Sequence, residues 1–395
     1  MKTENQTNRI EQPIYLDYNA TTPHAPEVIA AMRSFLEEHF GNPSSAYSYG
    51  FRARSAVQSA REQVAVALNC QADEIHFTGC ATESNNWALK GIAYARKNRG
   101  NHIITSQVEH PAVIEVCRYL ERNGFAVTYV PVDEYGMVAA ADIAAAITPQ
   151  TILISVMHAN NEVGTIQPVE EIAVIARGRG IVFHSDGAQA VGKIPSDMQK
   201  LGVDLYTIAG HKLYAPKGVG ALYVRKGITF ERLLHGAGQE MGKRAGTENV
   251  LHIVGIGTAC DISARDLEVS MAHLKATSDR LFAGLSGLLD GVLLNGHPDR
   301  KLPNTVSVSF SGIDANALLS ELRDEVAASA GAACHSGGRA VSSVLKAMKI
   351  PENRAFSTVR FSTGSPTTLD VVDRAVALIT SAVKRQRGSS PMSCR

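Results

Sequence analysis

Between residues 74 and 226 short apolar runs alternate with helical patterns. The runs at 74–78, 103–106, 126–131, 152–157, 181–185, 205–208 and 221–224 have the length and composition of strands. Strands separated by helices must cross over to pair again, so the alternation predicts an α/β chain built on a mainly parallel, doubly wound sheet. Ligands of such open sheets bind outside the carboxyl ends of the strands. The residues that follow each run are therefore where chemistry is to be sought.

Four strand ends carry polar groups of the right kind. The run 205–208 stops at Ala209-Gly210-His211-Lys212. A lysine delivered there into a cleft is partly desolvated, which lowers its pKa and makes the amine nucleophilic. The run 181–185 ends at Asp186, with Gln189 three residues on. A carboxylate there can pair with a protonated ring nitrogen, or it can start a turn. The run 103–106 leads to Glu109-His110-Pro111. His110 can stack on an aromatic ring and move protons, or cap the helix that Pro111 favours. After 74–78 comes Gly79-Cys80-Ala81-Thr82-Glu83-Ser84-Asn85-Asn86. Small residues at a helix start let backbone N–H groups approach a phosphate; Thr82 as an ordinary N-cap is the alternative. Neither GxxxxGK[ST] nor GxGxxG occurs, so the nucleotide fingerprints are missing.

Composition narrows the partners. A chain of 395 residues with 45% hydrophobic types exceeds what one core usually holds, which predicts two domains. The net charge of +1 supplies no field for nucleic acid or a membrane surface and leaves a small molecule as the expected partner. The six cysteines at 70, 80, 117, 260, 334 and 394 form no CxxC pair, and no HExxH is present, so no metal site is expected. Sparse cysteines suit a reducing compartment. The first residues hold no apolar signal core, and no uncharged apolar run reaches membrane-spanning length. A cytoplasmic location is the expectation.

Outside the alternating region, 26–40 and a stretch within 45–68 read as helices; Val57, Ala60, Val64 and Ala67 mark one buried face of the second. A long, mostly helical connection is predicted over 248–288. Further on come a strand at 305–310, a helix at 315–323, a strand at 359–361 carrying Arg360, and a helix at 369–384 with a frayed tail from Gly388. Cys334 lies in Gly331-Ala332-Ala333-Cys334-His335-Ser336-Gly337-Gly338. Small residues around a thiol allow a mobile loop, and the adjacent imidazole can favour the thiolate.

Other stretches complete the set: Tyr15-Leu16-Asp17-Tyr18-Asn19-Ala20-Thr21-Thr22-Pro23, Gly41-Asn42-Pro43-Ser44-Ser45, Met157-His158-Ala159-Asn160-Asn161-Glu162-Val163-Gly164, Arg244-Ala245-Gly246-Thr247-Glu248-Asn249 and Val359-Arg360-Phe361-Ser362. In this order, with Ala81-Thr82-Glu83, Glu109-His110, Asp186, Gln189, His211-Lys212 and Cys334, they resemble the fold-type I enzymes dependent on pyridoxal phosphate (PLP). More narrowly they resemble the aminotransferase class V group, and within it the cysteine desulfurases and selenocysteine lyases. The resemblance runs nearly end to end. It implies a large PLP-binding domain over 14–262 and a smaller α+β domain over 263–395, joined by the segment 1–25.

The resemblance also implies residue roles. Lys212 forms the Schiff base with PLP and later moves the α-proton. His110 stacks on the pyridine ring, Asp186 pairs with its nitrogen and Gln189 contacts the phenolic oxygen. Thr82 and His211 bind the phosphate, with Ala81 beside them in the cofactor-binding set. Thr247 reaches the phosphate of a neighbouring subunit, which implies a homodimer. Asn161 and Arg360 hold the substrate carboxylate, and Cys334 accepts sulfur as a persulfide for an acceptor protein or thiol. Two positions depart from the common pattern: Ala209 stands where a phosphate-binding serine is usual, and Cys80 where a glycine or small residue is commoner. Ala209 and Cys334-His335 look closer to the selenocysteine lyases. The expected reaction is conversion of L-cysteine to L-alanine. Release of selenium from L-selenocysteine, transamination, β-elimination and a non-catalytic sulfur-relay scaffold are its rivals.

Overall fold

The computed structural model describes residues 12–335 and 338–389, apart from the side chains of 332–339 and 389. Among the described residues fifteen strands run in chain order: β1 Ile14–Tyr15, β2 Ile75–Thr78, β3 His102–Ser106, β4 Ala126–Val130, β5 Thr151–Ser155, β6 Val182–Asp186, β7 Leu205–Ala209, β8 Gly220–Val224, β9 Val292–Asn295, β10 Thr305–Phe310, β11 Val326–Ala327, β12 Ser329–Ala330, β13 Ala332–His335, β14 Gly338–Val341 and β15 Thr358–Ser362.

Strands β2 to β8 form one seven-stranded sheet in the order β2-β8-β7-β6-β5-β3-β4. All pairs are parallel except those made by β8. That exception has a local cause. Parallel pairing needs a long crossover, and the link from β7 to β8 offers only the 3-10 turn Gly210–Lys212 before the chain doubles back. The other six strands point the same way, so their carboxyl ends share one edge.

Each face of the sheet is covered by helices. On one side Val57, Ala60, Val64 and Leu68 of helix Ser48–Leu68 pack with Ile253 and Ile256 of helix Val250–Leu288 and with Ile172 and Ala176 of helix Val169–Gly178. Helix Ser48–Leu68 stops at Asn69, whose φ of 52° is the left-handed C-cap that asparagine tolerates. On the other side lie Trp87, Leu89 and Ile92 of helix Ala81–Ala95 and Val113, Val116 and Leu120 of helix Pro111–Arg122. The central strands β3, β5, β6, β7 and β8 are buried at every position. They therefore read as continuous apolar runs with no alternation.

A second apolar cluster gathers Val306, Val308 and Phe310 of β10, Val359 and Phe361 of β15, Leu281 and Leu285 from the far end of the long helix, and Val372, Val376 and Ile379 of helix Leu369–Ser389. Here β12, β15, β10 and β9 make an antiparallel sheet. Leu16 belongs to this cluster, and β1 pairs in parallel with β11. The hairpin β13–β14 sets Cys334 opposite Arg339. Among the described residues, no helix is long and apolar enough to cross a membrane.

Candidate active site

A cavity of about 410 Å³ opens at the carboxyl edge of the large sheet. Ala81, Thr82, His110, Asn161, Asp186, Gln189, His211, Lys212 and Arg360 all line it, together with Asn19, Ala20, Cys80, Asn85 and Ala209. Five strand ends of the large sheet deliver most of these groups, Arg360 comes from the middle of β15 and Asn19 and Ala20 from the segment after β1, so that chain order alone would scatter them over nearly its whole length. Thr247 does not line the cavity; it is exposed on the segment leading into helix Val250–Leu288. Cys334 sits on the backbone of β13, and its side chain lies outside the described ones.

Lys212 follows the strand as expected: β7 ends at Ala209 and the 3-10 turn Gly210–Lys212 points the amine back into the cleft. Its Nζ donates to the backbone oxygens of Asn19 and, at 2.8 Å, of Ala20. Burial lowers its pKa to about 8, helped by the Arg360 charge and opposed by Asp17 and Asp186. A substantial fraction of the amine is thus neutral near neutral pH. His211 is lowered to about 4 by burial and by Lys212, Lys217 and Lys193, so its imidazole is neutral.

Asp186 closes β6 and is 6% exposed. Its Oδ1 accepts from the backbone N–H of Ala188 at 2.9 Å, the turn contact anticipated for an aspartate here. Its Oδ2 accepts from Asn85 Nδ2 at 2.6 Å. The two readings of Asp186 are therefore compatible: it starts a turn and lines the cavity. Gly187 lets the chain pass over Tyr206, since a Cβ there would collide with the ring. His110 likewise combines its two expected possibilities. It N-caps helix Pro111–Arg122, with Nδ1 accepting from Ala112 N at 3.1 Å, and its ring lines the cavity. Because Nδ1 accepts, the proton of the neutral ring sits on Nε2. Burial lowers its pKa, Asp186 opposing and Lys212 adding to the shift.

The segment after β2 forms an anion cradle. Helix Ala81–Ala95 is capped by Cys80, which makes no side-chain cap bond, and Thr82 lies inside the first turn. The expected alternative of N-capping by Thr82 thus gives way to a start whose first N–H groups are uncapped beside the cavity. Such a helix terminus favours an anion. The cradle is braced by Glu83, which accepts from Gly79 N at 2.8 Å and pairs with Arg244 at 2.8 and 3.2 Å.

Arg360, on β15, donates to Asp17 Oδ1 at 2.7 Å, Ser329 Oγ at 3.0 Å and Asn161 O at 3.0 Å, while its Nε is buried with no partner among the described residues. Sequence reading passed over Asp17, Asn19 and Asn85. All three stand in stretches singled out above, but Asp and Asn form turns and caps so often that residue type gave no direction. Only the tertiary contacts do: Asn19 O accepts from Lys212 and Gln189, and its Nδ2 donates to Asn161 O and Thr305 Oγ1.

Fold and site together define an α/β enzyme of fold type I, with a lysine of lowered pKa just past a strand end. The chain belongs to the aminotransferase class-V family, whose family model matches residues 14–375. It is similar to a cysteine desulfurase IscS of Clostridium botulinum, 43% identical over 386 residues that make up 97% of each chain. A cysteine desulfurase IscS of Methanosarcina thermophila is 45% identical over 381 residues, 96% of this chain and 94% of that one. Among solved structures, a NifS-like protein superposes with a TM-score of 0.89 at 38% identity, covering 95% of this chain and 100% of that chain. A structure described as SspA in complex with cysteine gives a TM-score of 0.79 at 36% identity, covering 90% and 99%.

Proposed function

We propose that this chain is a PLP-dependent cysteine desulfurase, converting L-cysteine to L-alanine and passing the sulfur through a Cys334 persulfide to an acceptor protein or thiol. The observation that carries the reading is Lys212: an amine with a pKa lowered to about 8, in one cavity with Asp186, His110 and Arg360. The relatives named cysteine desulfurase, and the neighbour described with cysteine, support the substrate.

The donor set fits PLP. An uncapped helix start beside His211 suits a phosphate, a buried carboxylate suits a pyridinium nitrogen, and a nucleophilic amine suits an aldehyde. Bound there, PLP supplies that aldehyde and a ring able to hold an electron pair. Ala81, Thr82 and His211 would hold the phosphate, with Thr247 of a second subunit reaching it in a homodimer. Asp186 would pair with the ring nitrogen, Gln189 would contact the phenolic oxygen and His110 would stack on the ring.

Arg360 and Asn161 hold the substrate carboxylate and turn the α-hydrogen toward Lys212, which takes that proton at Nζ. His110 carries a proton at Nε2 for transfer within the site. The Cys334 thiolate attacks the substrate sulfur, so a C–S bond breaks as an S–S bond forms. The carbon takes a proton in place of sulfur. One cysteine and one thiol become one alanine and one persulfide, with no outside reductant. The same reading divides the chain into 14–262 and 263–395, in keeping with two apolar clusters bridged by helix Val250–Leu288, and puts the enzyme in the cytoplasm, where thiols stay reduced.

Ala209 lines the cavity and keeps L-selenocysteine in view as a second substrate. The test is alanine release by PLP-loaded protein from L-cysteine and L-selenocysteine, for wild type and Cys334→Ala. Robust turnover of cysteine, lost in the variant, is the expected result. Strong preference for selenocysteine, retained in the variant, makes the chain a selenocysteine lyase. Pyruvate in place of alanine would mean β-elimination.

A further inference from the structure

Lys193 is a lysine only 6% exposed, set behind the cavity wall, with no part in the chemistry above. Its Nζ donates to Gln189 Oε1 at 2.7 Å and to Asn19 Oδ1 at 3.2 Å. Among the described residues these neutral oxygens are its hydrogen-bond partners, and no carboxylate pairs with it. A buried ammonium without a counter-charge is costly, and burial, reinforced by Lys212 and Arg360, pushes the Lys193 pKa well below the ordinary lysine value.

The consequence falls on Gln189, whose amide could present either oxygen or nitrogen to the cavity it lines. Lys193 engages Oε1. Nε2 donates to Asn19 O at 2.9 Å, an oxygen that can only accept. What Gln189 has left to offer is its second Nε2 hydrogen. With Lys193 removed, Oε1 loses its donor, and of these two anchors only the bond from Nε2 to Asn19 O still sets the turn of the amide.

We propose that Lys193 is a positioning residue that holds the side-chain oxygen of Gln189 in place, so that an amide N–H faces the phenolic oxygen of the bound cofactor. This rests on the reading of Gln189 given under Proposed function. A donor at that oxygen stabilises its anionic form, and a hydrogen bond to a charged group contributes about 1.5–3 kcal/mol.

The experiment is a pH titration of the visible absorption of the PLP-loaded protein, for wild type, Lys193→Met, Gln189→Ala and the double variant. Lys193→Met and Gln189→Ala should each raise the midpoint by about one pH unit or more, and the double variant should shift no further than Gln189→Ala. An unmoved midpoint in Lys193→Met beside a shifted Gln189→Ala overturns the proposal and leaves the reading of Gln189 standing. An unmoved Gln189→Ala removes that reading and the proposal with it. Additive shifts mean that Lys193 acts independently of Gln189, which also overturns it. Should Lys193→Met fail to fold, a neutron structure of the PLP-loaded wild type distinguishes amide oxygen from nitrogen: Oε1 on Lys193 supports the proposal, and Nε2 on Lys193 overturns it.

Discussion

Two groups, Lys212 in the cavity and Glu109 next to its His110, have pKa values moved to about 8 by burial. Only the neutral amine of Lys212 attacks an aldehyde, so the rate at which the cofactor-free protein takes up PLP should rise with pH and level off above a midpoint of about 8. Stopped-flow absorbance across pH checks this; a midpoint at the ordinary lysine value would contradict it. Glu109 is 2% exposed, and burial raises its pKa to about 8 against the bonds from Ser106 and Met157. Between 4.5 and about 8 the folded chain keeps a proton on Glu109 that the unfolded chain releases. Its contribution to stability is therefore present at low pH and lost as pH rises through that window, by up to about 1.4 kcal/mol per pH unit. Glu109→Gln should remove this loss, seen as a flatter dependence of urea-unfolding free energy on pH than in wild type. Lys212 and Asp186 were legible in the sequence because a strand end aims its residues at the ligand edge. Lys193 and Asn85 were not, because their roles reside in contacts with Gln189 and Asp186, about which local pattern is silent.

At the scale of elements, the strands of the large sheet fall within a residue or two of the apolar runs, since burial of both sheet faces makes each strand a block of hydrophobic residues. The exceptional direction of β8 and the short strands β11 to β14 were not legible: pairing partner and direction depend on what lies alongside. The segment Gln239–Gly242 is a case of tertiary override. Glu240 and Met241 have φ of 47° and 56°, a conformation that L residues adopt at a cost. The anchor is Glu240, 4% exposed, which accepts from Arg61 at 2.8 and 3.0 Å and from Phe77 N at 3.0 Å. Glu240→Ala leaves Arg61 buried without its counter-charge and should cost roughly 3–5 kcal/mol. Urea unfolding measures it. The double variant Glu240→Ala with Arg61→Met should recover much of the loss, and failure to recover would show that the backbone turn, not the ion pair, matters.

For the molecule as a whole, three core histidines are expected to contribute to acid sensitivity. His76, His158 and His184 are 1%, 4% and 0% exposed, and burial lowers their pKa values to about 3, 4 and 3. Below 6.5 the unfolded chain binds protons that the folded chain refuses, so stability falls as pH drops from there toward about 4. Among the described residues neither ring nitrogen of His76 has a hydrogen-bond partner, and the ring lies against Trp87 and Phe230. His76→Leu should therefore stabilise the protein at about pH 5 and reduce the acid dependence, measured by thermal unfolding at several pH values; an unchanged slope would show that His76 does not contribute. The long helical connection after residue 248 was legible from the change in pattern, and the structure has it as helix Val250–Leu288. The gathering of the strand ends at one edge was legible from the alternating pattern, but that Arg360 of β15 joins them was legible only through family resemblance, because it lies most of the chain away. Whether sulfur leaves L-cysteine by way of Cys334 is decided by mass spectrometry of the PLP-loaded protein after a single exposure to L-cysteine, without acceptor. One added sulfur atom on the peptide containing Cys334, in step with one alanine per active site, is the expected result. Alanine formed at full rate with no sulfur on that peptide would rule that route out.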